Sequence, residues 1–347
     1  EPGVAFADDT CNRADAFRLA LEAVRRGAGE DAYINVCGGL YGPSLGLADA
    51  QRSGSDVKSL WPVAPEGEEI TGYGPFTIKQ NTLRYWMNRL WHNDPDALMV
   101  RRRATPARGE SLSLGLLTDD EALTCTLNQY LGGGLVCFSE NLAEIDSDRL
   151  MLLRHCVPSI GAAAIPRDLL QAPRFPAIFT SAIDTPPPGL QPWYTISVVN
   201  WFDEPRVFEV PLDGDLLPGI DLDRPVVISR FAAEDTQSVL AGDMLRLGPV
   251  PAHGCQVWKV QFSSAEAPML MGTDGHFSMG AAEVTAWSAT PEGLTLTIHW
   301  PWPMRLRLWL RPPAGCAFAG SGMDETTVVE IEGPAQSTEI RLAYDLD

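Results

Sequence analysis

The 347-residue chain lacks several features that identify common classes of protein. No run of about 18 apolar residues occurs, so the sequence predicts no transmembrane helix and no membrane partner. Basic residues are few, with 26 Lys and Arg against 45 Asp and Glu. The formal charge of −19 argues against a nucleic-acid partner, because phosphate binding depends on clustered Lys and Arg. The one basic run, residues 101–103, is typical of a solvated face.

The seven cysteines include no CxxC pair and no histidine at metal-ligand spacing. They therefore predict neither a zinc site nor a disulfide framework. The five histidines are scattered, which gives little support to a Ser/His/Asp or Cys/His hydrolase. Neither a metal nor another cofactor is expected. No basic segment followed by an apolar one opens the chain, so localisation stays open, with the cytoplasm favoured.

The first 172 residues alternate helical and strand-like segments. Residues 15–26 form an amphipathic stretch of good helix formers, and residues 118–130 open with a capping-box pattern. Further helical stretches cover 78–90 and 146–156, and short apolar segments typical of buried strands cover 33–36, 97–100 and 135–139. Repeated strand-then-helix units predict a parallel sheet with crossover helices, and their number favours a barrel over a sandwich.

The pattern changes after Pro166. A proline-rich linker that includes residues 186–188 is followed by short alternating segments, which predict an antiparallel β-sandwich over residues 173–262. Residues 263–347 contain further strand patterns, which either extend that sandwich or make a small third β-module. The predicted fold class is therefore α/β followed by β.

Two polar clusters lie at the ends of strand-like segments in the first half. The first reads INVCGG over residues 34–39, followed by RSGSD over 52–56 and then by Trp61. The second reads WHNDPD over residues 91–96 and directly precedes the apolar run 97–100. Asp56 lies just past an apolar strand and a glycine-rich turn, which makes it the first candidate for a general acid/base.

Together these clusters resemble the retaining α-galactosidase (melibiase) superfamily of glycoside hydrolases. In that superfamily the acid/base Asp lies four residues after an Arg, and the barrel carries an Asn-Asp-Pro-Asp element. The resemblance covers roughly residues 10–262 and is specific in the first 160. It implies a (β/α)8 barrel with a β-sandwich after it, and a retaining exo-α-glycosidase, most simply an α-galactosidase that acts on α-linked galactosides.

The resemblance implies roles for particular residues. Asp56 is the acid/base, Arg52 binds a sugar hydroxyl or orients a carboxylate, and Asp96 lines the sugar pocket. An ordinary surface ion pair is the alternative for Arg52 and Asp56, although the intervening Ser-Gly-Ser argues against a helix and so against that alternative.

Three further residues and one aromatic side chain complete the expected substrate contacts. Cys37, Gly38 and Gly39 end a strand, where glycine lets the backbone approach a ligand closely. Trp61 offers a flat apolar face for a sugar ring. The alternatives, a core cysteine before a plain turn and a core tryptophan, stay open.

About four strand-helix units precede the linker, whereas a closed barrel needs eight. In the superfamily these motifs lie on strands five to eight, so the resemblance predicts the second half of the barrel and an incomplete enzyme. The nucleophile, an Asp in a Lys-x-Asp element, is then expected upstream of Glu1. The N-terminal half of the same enzyme, with barrel strands one to four, is the expected partner, and a homo-oligomer is left open.

Two other functions stay open at this stage. The same chemistry could act on a different sugar, as in a β-L-arabinopyranosidase, an α-N-acetylgalactosaminidase or a transglycosylating raffinose-type synthase. A non-catalytic carbohydrate-binding or structural module is the other, since no nucleophile matches the pattern of the superfamily. The residues just upstream of Glu1 would discriminate between an enzyme and such a module.

Overall fold

A computed structural model of the protein describes most of the chain. The described residues are 6–57, 61, 74–102, 117–172, 175–219, 221, 223–240, 242–301, 304–333 and 336–345. Helices and short parallel strands occupy the first half of this part, and antiparallel strands occupy the second half. The predicted change from α/β to β is therefore confirmed. No helix in the described ranges is long and apolar enough to cross a membrane.

The parallel strands of the first half are very short. Strands β1 (Asn35–Val36), β2 (Ala50–Arg52) and β3 (His92–Asp94) form one parallel sheet in that order. Strand β4 (Ala97–Leu98) pairs in parallel with β5 (Cys137–Phe138). Strands β2 and β3 were not predicted, because they consist mainly of polar residues and do not form the apolar run expected of a buried parallel strand.

Two helices of the first half begin at side-chain caps. Helix α1 (Arg13–Ala28) is capped by Asn12, and α2 (Tyr41–Ser44) is a single turn. Helix α4 (Asp119–Gly132) begins with the predicted capping box of Thr118 and Glu121, and both of its hydrogen bonds are present.

Two predicted helical stretches are each divided in two. Residues 78–90 belong to α3 (Gly74–Leu83) and a 3₁₀ helix, Tyr85–Arg89, with the break at Arg84. Residues 146–156 belong to α5 (Ser147–Leu153) and a second 3₁₀ helix, Arg154–Cys156. Both predicted stretches are helical, but neither is one continuous α-helix.

The predicted antiparallel sandwich consists of a large and a small sheet. The large sheet has the order β11-β10-β13-β8-β7-β6, and β9 pairs with β12 in the small one. Their apolar faces enclose a core that includes Ile196, Leu212 and Leu247. The strands are β6 (Ile165–Pro166), β7 (Ile178–Ile183), β8 (Trp193–Val199), β9 (Arg206–Pro211), β10 (Val226–Arg230), β11 (Thr236–Val239), β12 (Met244–Val250) and β13 (Cys255–Phe262).

The strands after residue 263 form two sheets of their own, with the orders β14-β17-β19 and β15-β16-β20-β18. They enclose a separate core that includes Leu270, Leu296 and Leu308. Within the described residues these strands pair only among themselves. The strands are β14 (Met269–Thr273), β15 (Val284–Thr290), β16 (Gly293–Trp300), β17 (Met304–Arg311), β18 (Ala317–Phe318), β19 (Thr327–Gly333) and β20 (Gln336–Asp345). The limits drawn at residues 172 and 262 stay a prediction.

Helix α4 joins the parallel strands to the large antiparallel sheet. The Tyr130 hydroxyl lies 2.9 Å from Thr195 Oγ1 on β8, and Thr124 Oγ1 donates to the His253 carbonyl at 2.8 Å. The chain then turns back over β3 at Gly134. A Cβ there would lie 2.1 Å from the Asn93 carbonyl oxygen, so only glycine fits this crossing without a shift of the backbone.

Candidate functional site

The two polar clusters of the sequence meet at Arg52. Its guanidinium lies 3.1 Å from Asp56 Oδ1, 3.3 Å from Asp94 Oδ2 and 3.0 Å from Asp96 Oδ1. Arg52 ends β2 and Asp94 ends β3, and the two residues are paired in register. Their side chains therefore leave neighbouring strands on the same face at the same edge of the sheet.

Asp94 is the buried anchor of this arrangement, at only 3% exposed. Besides Arg52, its Oδ2 accepts a hydrogen bond from Asn35 Nδ2 at 2.7 Å. Its Oδ1 accepts from the backbone N–H of Asp96 at 2.9 Å. Side chains of the three neighbouring strands β1, β2 and β3 are thus tied together through one carboxylate.

Asp96 connects the β3 turn to the segment that carries Asp56. Its φ of 70° lies in the left-handed region, which residues other than glycine seldom adopt. Asp96 Oδ2 accepts from the backbone N–H of Val57 at 2.6 Å, and its carbonyl accepts from Gln129 Nε2 at 2.9 Å. The Asp96 carboxylate therefore helps to fix the position of the residue next to Asp56.

The charges around Arg52 influence the groups nearby. Burial lowers the pKa of Arg52, but Asp96 and Asp94 more than offset this effect, so the pKa is raised overall. Burial raises the pKa of the Cys137 thiol, and the same two carboxylates raise it further. Because the thiolate is the reactive form, Cys137 is not an activated nucleophile.

Asp56 itself is on the surface, with 89% of its side chain exposed. Its contact within the described residues is the ion pair with Arg52. A general acid in a glycosidase works from a partly buried position beside a second carboxylate. Substrate or additional protein must cover Asp56 if it is to take that role, which stays a prediction.

The predicted Cys37-Gly38-Gly39 turn follows β1, and its glycines have different surroundings. Gly38 has a φ of 70° and open space where a side chain would be, so a ligand could approach the backbone there. A Cβ on Gly39 would lie 2.4 Å from Val36 Cγ1 and 2.8 Å from Phe17 Cζ. Packing against α1 therefore accounts for Gly39, while Cys37 is exposed.

Trp61 is not brought together with the Arg52 cluster by any contact of the described residues. Its ring centroid lies 5.2 Å from that of His253 and 6.1 Å from that of Trp201, and both pairs are stacked. It also packs against the core beneath α4. This is the arrangement of the core-packing alternative, and a sugar-binding role for Trp61 stays a prediction.

No protein-family model matches the chain, but solved structures match its fold. The α-galactosidase I of Mortierella vinacea aligns with a TM-score of 0.53 and 13% identity, over 72% of this chain and 63% of that one. A Saccharomyces cerevisiae α-galactosidase with raffinose aligns with a TM-score of 0.52 and 13% identity, over 72% of this chain and 68% of that one. A β-L-arabinopyranosidase of Geobacillus stearothermophilus aligns with a TM-score of 0.52 and 15% identity, over 72% of this chain and 55% of that one.

The chain shares the fold of these three glycosidases. The resemblance inferred from the two polar clusters is thus confirmed at the level of fold. The chain spans 63% of the length of the Mortierella enzyme and 55% of the Geobacillus enzyme. At 13% to 15% identity the likeness establishes the fold alone, so any activity of this chain is a matter for proposal.

The Arg52 cluster also depends on residues whose roles the sequence did not indicate. Ser53 donates from its N–H to the Asp94 carbonyl at 2.8 Å, and from its Oγ to Asn81 Oδ1 at 2.5 Å. Arg84 Nη1 donates to the Ser53 carbonyl at 2.6 Å. Asn35 was visible only as a polar residue within an apolar strand. No group of three or more potential metal ligands occurs in the described part of the chain.

Proposed function

We propose that the chain is the acid/base-bearing part of a retaining exo-α-glycosidase, most simply an α-galactosidase that hydrolyses terminal α-galactosides by double displacement. The observation that carries this proposal is the contact of Arg52 with Asp56, Asp94 and Asp96 at the carboxyl end of parallel strands. Active sites of (β/α)8 enzymes lie at that end of the barrel. Two fold neighbours named as α-galactosidases support the substrate class.

In the proposed reaction Asp56 first protonates the leaving oxygen and then removes a proton from water. Arg52 holds the Asp56 side chain in place, and Asp94 positions Arg52 from its buried place behind it. Asp96 retains lone pairs that can accept a sugar hydroxyl. The Cys37-Gly38-Gly39 turn contributes a backbone wall, and Trp61 joins the pocket only if it leaves its stack on His253 and Trp201.

The mechanism requires a second carboxylate about 5–5.5 Å from Asp56 to act as nucleophile. We assign it to the first half of a (β/α)8 barrel, of which this chain supplies the second half. Within the described residues β1 pairs only with β2, so one edge of β1 is free. Asn35 on β1, His92 on β3 and Phe138 on β5 are also exposed. Pairing of that half with the free edge would cover this surface.

Expression of residues 1–347 alone tests the half-barrel assignment. The chain should then be poorly soluble and inactive on an aryl α-galactoside, and co-expression with the N-terminal half should restore both properties. Each 100 Å² of exposed apolar surface costs roughly 2.5 kcal/mol, against a typical total stability of about 5–15 kcal/mol. A soluble, cooperatively melting and active chain would overturn the assignment and the upstream nucleophile.

Asp56→Asn in the complete enzyme tests the acid/base role. Turnover of a natural oligosaccharide should fall by several orders of magnitude, about 10²- to 10⁴-fold from the lost proton transfer alone. An activated aryl galactoside should suffer less in the first step, because its leaving group departs without full protonation. Asp31→Asn, at an exposed position after α1, is the matched control. A kcat on the oligosaccharide within tenfold of wild type would exclude Asp56 as the acid.

Activity on a different sugar is the second candidate, because one fold neighbour is named as a β-L-arabinopyranosidase. Ala97, next to Asp96, leaves one wall of the proposed pocket small. Comparing nitrophenyl α-galactoside, β-L-arabinopyranoside and α-N-acetylgalactosaminide as substrates ranks the candidates. Product analysis with raffinose and sucrose separates hydrolysis from synthase activity. Sugar binding without turnover of any substrate by the complete protein would favour a non-catalytic binding module.

A further inference from the structure

A cleft lies at the end of the parallel strands that is opposite the Arg52 cluster. It has a volume of about 560 Å³. One wall is the 3₁₀ helix Tyr85–Arg89, which comes just before β3, whereas Asp94 ends that strand. The other wall includes residues of β6, β7 and β8 at the edge of the large antiparallel sheet. The cleft is therefore separate from the Arg52 cluster, and the proposed glycosidase mechanism does not use it.

Aromatic side chains supply the apolar part of this cleft. Tyr85, Trp86 and Tyr194 all line it, and Trp86 is 49% exposed. The Tyr194 hydroxyl donates to the Pro218 carbonyl, which fixes that ring in the wall. Large aromatic side chains at the mouth of a cleft offer flat apolar area at a low cost in conformational entropy. A pyranose ring, with its face of C–H groups, matches such a surface.

Arginine side chains supply the polar part. Arg89 and Arg167 line the cleft, and neither forms an ion pair within the described residues. Arg167 is half-buried, and its Nε donates to Thr180 Oγ1 at 2.5 Å. Burial lowers the pKa of Arg167, and neighbouring acidic groups offset this effect only in part. The remaining N–H groups of Arg167 can bind a carboxylate through two parallel hydrogen bonds.

We propose that this cleft binds an acidic saccharide, with a pyranose ring on Trp86 and its carboxylate on Arg167. Arg89 adds a second positive charge at the mouth of the cleft. Asp184 also lines the cleft and is exposed. It sets the orientation, because a ligand carboxylate avoids it while sugar hydroxyls donate to it. Asn88 also lines the cleft, and its Nδ2 donates to the Gly161 carbonyl at 3.2 Å.

The charge of the protein makes such a cleft selective. A chain with a formal charge of −19 repels anions over most of its surface. Arg89 and Arg167 bring two positive charges to one concave site, against the single carboxylate of Asp184 in its lining. A neutral sugar would leave the half-buried Arg167 charge uncompensated, whereas a uronate would pair with it. The binding does not depend on glycosidase activity, so it can be measured separately.

Calorimetric titration of the complete protein with digalacturonic acid, and with galactobiose as the neutral counterpart, tests the proposal. We expect digalacturonic acid to bind at least tenfold more tightly than galactobiose. Its affinity should fall as the salt concentration is raised. Arg167→Gln should remove that preference, and Trp86→Ala should lower the affinity for digalacturonic acid at least tenfold. Arg246→Gln, on an exposed arginine already paired with Glu209, is the control and should leave binding unchanged.

Specific results would overturn this inference. Equal binding of the two sugars that Arg167→Gln does not change would mean that the cleft does not select a carboxylate. Loss of binding in Asp96→Asn with full binding in Trp86→Ala would put the ligand at the Arg52 cluster instead. Absence of millimolar binding of digalacturonic acid would also refute the site. Trp86 is exposed, so Trp86→Ala keeps the test valid if circular dichroism finds Arg167→Gln unfolded.

Discussion

Replacing Arg52 by Gln should destabilise the protein mainly through Asp94, although Arg52 contacts three carboxylates. The Asp94 side chain is 4% exposed, that of Asp96 16% and that of Asp56 89%. Removing the guanidinium leaves Asp94 as a buried carboxylate without its ion pair. Asp56, by contrast, returns to water at little cost, because exposed ion pairs contribute little to stability.

The expected magnitude follows from these exposures. Removing one partner of a buried ion pair costs about 3–5 kcal/mol. Asp94 keeps its hydrogen bonds from Asn35 and from the Asp96 N–H, so the lower end of that range, about 3 kcal/mol, is the better expectation. Such a loss is a large fraction of a typical total stability of about 5–15 kcal/mol.

Double-mutant cycles in urea unfolding compare the contact of Arg52 with Asp94 and its contact with Asp56. Coupling of Arg52→Gln with Asp94→Asn should reach about 2 kcal/mol, whereas coupling with Asp56→Asn should stay below about 0.5 kcal/mol. Tryptophan fluorescence can follow the transition, because Trp91 lies next to β3. An Arg52–Asp56 coupling equal to or larger than the Arg52–Asp94 coupling would refute the reasoning from burial.

Three further predictions concern other parts of the chain. Gly134→Ala should lower the free energy of unfolding by about 1–3 kcal/mol, because its Cβ would meet the Asn93 backbone. Gly27→Ala, in α1 with open space around it, should instead stabilise by about 0.5–1 kcal/mol; equal effects in chemical denaturation would contradict this account. Burial lowers the pKa of His155 to about 4 from an ordinary 6.5, so the unfolded chain binds its proton first. Stability should therefore fall as pH drops from about 6.5 to 4. His155→Gln should reduce the dependence of the urea midpoint on pH over that range. Duplex DNA should not bind at physiological salt, and a micromolar complex in a gel shift would refute this.

Several features of this protein could be predicted from the sequence because they depend on neighbouring residues. The capping box of Thr118 and Glu121 spans three positions, and it starts α4 as expected. The alternating pattern of strands such as β16 and β19 has a period of two, so both were recognised. The motifs around Arg52 and Asp94 each consist of a few consecutive residues. The resemblance to the melibiase superfamily could therefore be recognised from the sequence.

Other features required the tertiary structure, because they depend on residues far apart in the chain. The polar strands β2 and β3 are held by parallel pairing, and they bring Arg52 within reach of Asp94, 42 positions later. Trp61 rests on Trp201 and His253, which local sequence cannot indicate. The Arg167 cleft likewise joins a 3₁₀ helix to a sheet edge more than 70 residues away. Local hydrogen bonding and the periodicity of apolar residues determined which segments form helices and strands. Strand register and helix packing decided which side chains meet.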